Sequence, residues 1–422
     1  YCLYNPLTMR VPRLFAATAL VFSLLFLTTC TDEVTRTRTY HTQVPFYLSV
    51  ATLRSQAVAV HAPEPLSSPG KIYIYGDYLF INETGKGIHI VDNSNPAKPK
   101  FINFINIPGN VDLAVNSNVL YADSYVDLLA FDISNPATVS ILRRLENVFE
   151  HQYASKDKGL IIAFKDTTIT EIIKEDIDYH PGRYHEYYSS SASDSKAAQS
   201  YGTGGSTARF TLMSGNLYTV DSYRLKLFNV ANPANPVYVK SVDLGWGIET
   251  IFPYQDKLFI GSNTGMHIYD ASNPSDPVKL STYQHITSCD PVVVEGKYAY
   301  VTLRSGNFCR MGANVLEVLD VEDPAHPVRV ASYPMLNPHG LSIADSKLFI
   351  CEGSYGLKAF DASNVNKVGQ NQLSFIRDFS AADVIAGPKS LVVTGDMGVY
   401  QYDYTNASNM KLLSHISLTD HL

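Results

Sequence analysis

Gly87-Ile88-His89-Ile90-Val91-Asp92-Asn93-Ser94-Asn95-Pro96 is the stretch whose reading decides the fold. It returns as Leu128-Leu129-Ala130-Phe131-Asp132-Ile133-Ser134-Asn135-Pro136 and as Met266-His267-Ile268-Tyr269-Asp270-Ala271-Ser272-Asn273-Pro274. Alternating residues such as Ile88 and Ile90 describe a strand with one face against a neighbour. Asp92 suits an Asx turn, in which the carboxylate accepts backbone N–H groups. Asn95 tolerates unusual dihedrals, and Pro96 fixes φ and donates nothing to a ladder. The chemistry of the phrase is thus structural. The other reading, a calcium loop, needs more converging oxygens than Asp-x-Ser-Asn-Pro supplies.

Around the phrase lies a longer unit. Lys71 to Tyr75 alternates, Gly76-Asp77 turns, Tyr78 to Asn82 makes a second strand, and a turn at 84–86 leads into Ile88 to Asp92. Lys100 to Ile107 then makes a fourth strand. Short strands separated by tight polar turns predict antiparallel meanders. The terminal Asp, or Asn in one copy, recurs at Asp92, Asp132, Asn229, Asp270, Asp320, Asp361 and Asp403. A usual spacing of about forty residues fits propeller blades, and one blade alone cannot bury both of its faces. The gap from Asp270 to Asp320 is widened by a hairpin at Arg304 to Asn314. In the gap from Asp132 to Asn229, Glu150 to Ala154, Leu160 to Lys165 and Thr168 to Lys174 read as three more strands. Counting them places innermost strands near Pro69, Pro108, Val148, Ser206, Gly247, Ser288, Pro338 and Ala381. The expectation is an all-β chain over 66–422, a single β-propeller of four-stranded antiparallel blades, eight in number, with seven as the alternative.

Composition agrees with this class. Of 422 residues 45% are hydrophobic and 17% charged, with 28 Tyr and 19 Phe. Such a chain is not disordered, and its aromatics favour strands. A net charge of −7 with no basic run gives nucleic acid no electrostatic footing.

The copies resemble the LVIVD repeat family of bacterial and archaeal cell-surface proteins, through Ile88-His89-Ile90-Val91-Asp92 and Val315-Leu316-Glu317-Val318-Leu319-Asp320. The resemblance covers most of Pro69 to Leu418. It implies a β-propeller and transfers no catalytic residue. The last two copies depart from it, with Val365 and Ala407 where Pro is expected.

The N-terminus reads as an export signal over 1–30: Arg10 and Arg13, then an apolar run from Leu14 to Leu27, with Met9 as the start. Leu27-Thr28-Thr29-Cys30 resembles a relaxed bacterial lipobox with Cys30 lipidated. Thr31-Asp32-Glu33 resembles the export tails of Bacteroidetes-type lipoproteins. The alternatives are a cleaved signal peptide or an N-terminal anchor. Residues 31–65 read as a tether and lead-in, and the expected location is the cell envelope, outer membrane or surface, with the membrane reached through lipid. Cys289 and Cys309 flank one predicted strand pair and are the expected disulfide, leaving Cys351 as a buried thiol.

Two regions are candidates for function. The innermost strands begin near Asp112, Glu150, His151, Glu249, Asp290, His339 and Asp383. Converging carboxylates and imidazoles suit a divalent cation or a reaction, whereas a wet channel is polar without either, and the latter is the expectation. No cofactor is expected, a channel cation being the alternative. The segment 176–207 carries Tyr179, His180, Tyr184, His185, Tyr187 and Tyr188, then Ser- and Gly-rich runs, and reads as a surface loop for a protein or glycan partner or for none. Trp246, between Gly245 and Gly247, is either a binding or a packing residue. No nucleophile elbow, phosphate loop or zinc spacing is present. The expected function is a monomeric binding or interaction scaffold. The alternatives are a metal-dependent hydrolase or lyase using the channel residues, or a structural part of an envelope assembly.

Overall fold

The repeated phrase builds the same local structure seven times in a computed structural model that describes residues 36–55, 58–151, 157–173, 203–284, 291–305 and 313–418. At the end of each third strand the carboxylate or amide accepts the N–H two residues on, in Asp92, Asp132, Asn229, Asp270, Asp320, Asp361 and Asp403, at 2.8–3.0 Å. A reverse turn follows each time, for example Lys98 N–H to Asn95 O at 2.9 Å and Asn409 N–H to Asn406 O at 2.9 Å. The chain then enters the fourth strand through a register shift, so that two residues oppose one in every blade. A bulge re-aims the side chain beside it. Here the re-aimed side chain is the residue just after the bulge, and it points to the next blade.

That residue makes the junction. In four blades it is Asn103, Ser281, Ser374 or Ser414, donating to the main-chain carbonyl at the proline position of the next turn: Pro136, Pro324, Ala407 and Pro96 respectively. In blades 2 and 3 the same position holds Arg143 and Lys240, which reach further, to Asn235 and Asp276. There the carbonyl is taken by a second-strand tyrosine, Tyr121 to Pro233 O at 2.8 Å and Tyr218 to Pro274 O at 2.6 Å. In blade 5 the post-bulge residue is Ala331, and Tyr333 donates to Val365 O at 2.6 Å. All seven junctions therefore carry the same acceptor. It is a carbonyl, which every residue has, so Val365 and Ala407 serve as well as proline.

Seven four-stranded meanders result, with innermost strands Pro69–Tyr75, Leu113–Asn116, Phe210–Met213, Ile248–Tyr254, Val292–Glu295, Leu341–Ala344 and Asp383–Ala386. Their faces are apolar and pack blade on blade: Phe80, Ile88, Ile90 and Ile105 of blade 1 share a cluster with Leu113, Val115, Leu120 and Leu128 of blade 2. Blade 7 closes directly on blade 1, through Ile385, Val392 and Val399 against Ile72, Leu79 and Val91. A reciprocal amide pair, Asn93 with Gln401 at 3.0 and 2.7 Å, sits buried in that junction. Strand Ala59–His61 adds to the outer edge of blade 1. Helix Val50–Ser55 is held at blade 2, where Arg54 forks onto buried Asp127 at 2.9 and 2.7 Å.

The expected count of eight blades is corrected to seven. The stretch read as a third blade has no turn near Asp166-Thr167. Residues Leu160–Ile173 run on as one strand, and among the described residues its sole strand partner is Arg36–Leu48. Lys165-Asp166-Thr167-Thr168 offers neither glycine nor proline to break a strand, and Ile162 and Phe164 are exposed. A blade needs two covered faces, and this pair has none to offer. The chain divides into two compact units, Tyr1–Tyr47 with Ile161–Tyr187, and Leu48–Leu160 with Tyr188–Leu422. In the first, cross-strand pairs Thr39–Thr170 at 3.1 Å and Gln43–Asp166 at 3.0 Å define an antiparallel ribbon. Residues 36–48 of the expected tether are thus a strand. The leader with Cys30, the pair Cys289 and Cys309, Asp290 and the Tyr179–Tyr188 segment lie outside the described residues.

The junction bond gives a direct test. Tyr218→Phe removes one buried neutral hydrogen bond and leaves an unpaired carbonyl, and is expected to cost about 1–2 kcal/mol in urea unfolding. Pro274→Ala keeps the carbonyl and is expected to cost less than Tyr218→Phe; the reverse order would place the stabilisation in the proline ring instead.

Candidate functional site

Antiparallel order puts every strand 2-to-3 turn and every blade-to-blade linker on one face, here the linker face. The repeated Asp-x-Ser-Asn-Pro turns emerge on the other, the motif face. The linkers are anchored by carboxylates at the ends of second strands. Glu83 accepts Ser67 and Ser68 N–H, Asp123 accepts Val111 and Asp112 N–H at 2.9 Å, and Glu352 accepts Leu336 and Asn337 N–H at 2.9 and 2.7 Å. Burial pushes the Glu83 carboxyl up, but bonds from His89, Ser67 and Ser68 outweigh it and hold the pKa at about 2. At Asp123 burial outweighs the main-chain N–H groups and raises the carboxyl to about 6.

The channel axis is occupied by the chain itself. Thr203–Gly204 pairs with Ile74 and Tyr73 on the innermost strand of blade 1. Ser206 N–H and Oγ both donate to Asp383 Oδ1 at 3.2 Å, and Thr207 Oγ1 donates to Oδ2 at 3.0 Å. Ser206 Oγ also accepts Leu341 N–H at 2.6 Å, and Ala208 O accepts Ile251 N–H at 3.2 Å. The Arg209 and Phe210 N–H groups reach Asp112 Oδ2. Lys71 Nζ donates to Thr207 O. The stretch 203–210 thus cross-links blades 1, 2, 4, 6 and 7. Glycine at 205 and 340 is required, because a Cβ at either would collide with the Asp383 carboxylate.

This placement assigns the channel candidates. Asp383 and Asp112 are brought to the axis, 4% and 2% exposed, but as anchors of the axial segment. Burial raises both, Asp383 to about 7, with Lys71 opposing the shift in each case. His339 is half-buried; burial and then the Arg304 charge lower it to about 4. Glu249 lies near enough to Arg304 to oppose the downward shift that burial imposes on the guanidinium. Glu150 is on the surface with Arg224, and His151 stacks near Tyr125 at 5.6 Å; neither joins the axial group. Among the described residues no group of three or more His, Cys, Asp or Glu is arranged to hold a metal ion. Cys351 is a buried free thiol, raised well above its ordinary pKa by burial.

Beside the axial segment a cavity of about 360 Å³ opens on the linker face. Its walls include Lys71, Arg304, His339, Asp383 and Asp396, from blades 1, 5, 6 and 7. The axial role of Thr203-Gly204-Gly205-Ser206-Thr207 was missed in sequence, although adjacent glycines are what a chain needs to thread a crowded axis. Every exposed large apolar residue carried by a described propeller loop is also on this face: Tyr223, Trp246 at 62%, Leu336, Tyr355 and Met397.

Comparison with known proteins agrees with the geometry. The LVIVD repeat family matches residues 69–106, 256–285 and 288–334. The chain is thus a seven-bladed β-propeller with LVIVD-repeat matches over these three segments. No curated protein matches it. Among solved structures, the computationally designed protein Ika8 is similar at 8% identity over 86% of this chain and 92% of its own, with a TM-score of 0.53. BamB from Moraxella catarrhalis shares 7% identity over 85% of this chain and 96% of its own, TM-score 0.48. Kluyveromyces lactis Hsv2 shares 11% over 82% and 98%, TM-score 0.45. At these identities the likeness to Ika8 concerns the fold alone.

Asp383 makes a pH prediction. Its pKa in the folded chain lies above the ordinary 3.8, so its contribution to stability is full below about pH 4 and is lost as pH rises towards 7. Asp383→Asn mimics the protonated acid at every pH. The stability difference between variant and wild type should shift in the variant's favour from pH 4 to 7; an unchanged difference would show the carboxyl to be ionised throughout. Asp383→Ala strands the Ser206 and Thr207 donors and should lie about 2–3 kcal/mol below the Asn variant.

Proposed function

We propose that the protein is a cell-envelope lipoprotein whose propeller is a protein-interaction scaffold, with the linker face as its docking surface. The observation that carries this reading is the division of the two faces. On the motif face the polar side chains satisfy their own turns, as the seven Asx bonds show, and no described loop there exposes a large apolar side chain. On the linker face Tyr223, Trp246, Leu336, Tyr355 and Met397 stand out of loops with no packing role to explain them. Aromatic and methionine side chains are enriched in protein interfaces because they bury large area at modest entropic cost. The lipoprotein part is supported by the sequence from Arg10 to Cys30.

Two experiments test the two parts. Cys30→Ala is expected to abolish incorporation of an alkyne-labelled fatty acid and to move the protein out of the membrane fraction; labelling that persists in the variant sinks the anchor. For the scaffold, cross-linking on native membranes is compared for Trp246→Ser with Tyr355→Ser and for a motif-face control, Lys98→Ser with Lys367→Ser. A discrete adduct lost only in the first pair is expected. Equal loss, or loss in the control alone, would move the docking surface elsewhere.

A further inference from the structure

We infer that the axial cavity is a binding site for a carboxylate-bearing ligand of about the size of one sugar acid or one peptide C-terminus. The inference is independent of the scaffold reading, since it rests on the cavity walls. At about 360 Å³ the cavity falls at the lower end of the range for small-molecule sites. Three nitrogen-bearing side chains converge on it from three blades, Lys71, Arg304 and His339, in a chain whose net charge is −7.

The acids in the same walls offset them only in part. Asp383 is engaged by Ser206 and Thr207, and burial favours its neutral form. Asp396 is exposed at the rim. Arg304 pays a desolvation penalty, seen in the lowering of its pKa, with Glu249 as the opposing charge. An incoming carboxylate would relieve that penalty further, through the fork geometry that guanidinium offers to two oxygens. His339, lowered to about 4, is a neutral imidazole at pH 7 and serves as a hydrogen-bonding group rather than a second fixed charge.

Charge and rim select the ligand class. A dianion would meet Asp396 at the mouth, so one negative charge fits better than two. Exposed apolar residues adjoin the lining residues along the chain in blades 6 and 7. Leu336 precedes the lining residues Pro338 and His339, Met397 follows Asp396, and the Glu352–Gly356 turn that carries Tyr355 lies against the His339 ring. A carboxylate on a ring or short apolar body satisfies both parts. An acid sugar and a free peptide C-terminus share that chemistry.

Calorimetry on the full chain separates these sources. The probes are galacturonate against galactose, and an N-acetylated alanine tripeptide with a free against an amidated C-terminus. At least one acid is expected to bind with a dissociation constant below about 10 mM, and its neutral partner to bind at least tenfold more weakly. Which acid binds names the source. Arg304→Gln is expected to weaken that acid about tenfold. Asp396→Asn, at an exposed position that leaves folding intact, is expected to tighten it about two- to fivefold. Binding of neither acid, equal binding of acid and neutral partner, or an acid affinity that Arg304→Gln leaves unchanged while Asp396→Asn weakens it, overturns the inference.

Discussion

The ring depends on one hydrogen bond made seven times: a side chain of one blade donates to the carbonyl at the proline position of the next blade's turn. A partly buried carbonyl left without its donor is costly, so each junction favours one relative position of the two blades. The Asx bond shapes the turn, and the bulge follows the turn. In four junctions the residue after the bulge is the donor, a tyrosine replacing it in the other three. Apolar faces supply the larger attraction between blades, but they are tolerant of sliding. The carbonyl bond is directional. It also explains ring closure without a shared blade: Ser414 meets Pro96 as Ser281 meets Pro324, so the join between last and first blade is chemically the same as the rest.

How far the sequence revealed this follows from what repeats. The strands around Asp92, Asp132, Asp270 and Asp320 were legible because strand period, Asx turn and proline coincide there. Blades 6 and 7 were legible despite Val365 and Ala407, since the acceptor is main chain. What misled was residues 150–174, where alternating apolar residues imitate a blade. Alternation reports a strand and not its partner, and the partner, Arg36–Leu48, lies far off in sequence and looks like a polar tether. Thr203 to Thr207 misled in the opposite sense. Its composition reads as surface loop, yet Ser206 is 1% exposed and spans the axis.

The candidate acids were found in the right place for a different reason. Asp112 and Asp383 do lie on the axis, but each holds N–H or O–H groups of the axial segment. Sequence can place a carboxylate at an innermost strand; it cannot say that the donors arrive from a segment 97 residues away for Asp112 and 177 for Asp383. Glu150 and His151 dropped out together with the extra blade that had placed them there.

The same economy decides where recognition can occur. On the motif face the polar groups that recur from blade to blade are engaged by their own turn or by the junction. On the linker face, Glu83, Asp123 and Glu352 fasten the linkers from below, and the loops above them are released to vary in length and composition. The cavity with Arg304 and His339 and the exposed aromatics Trp246 and Tyr355 all fall on that side. A fold that spends its repeated residues on holding the ring has only the unrepeated ones left for binding, and in this chain the unrepeated residues of the described loops gather on one face.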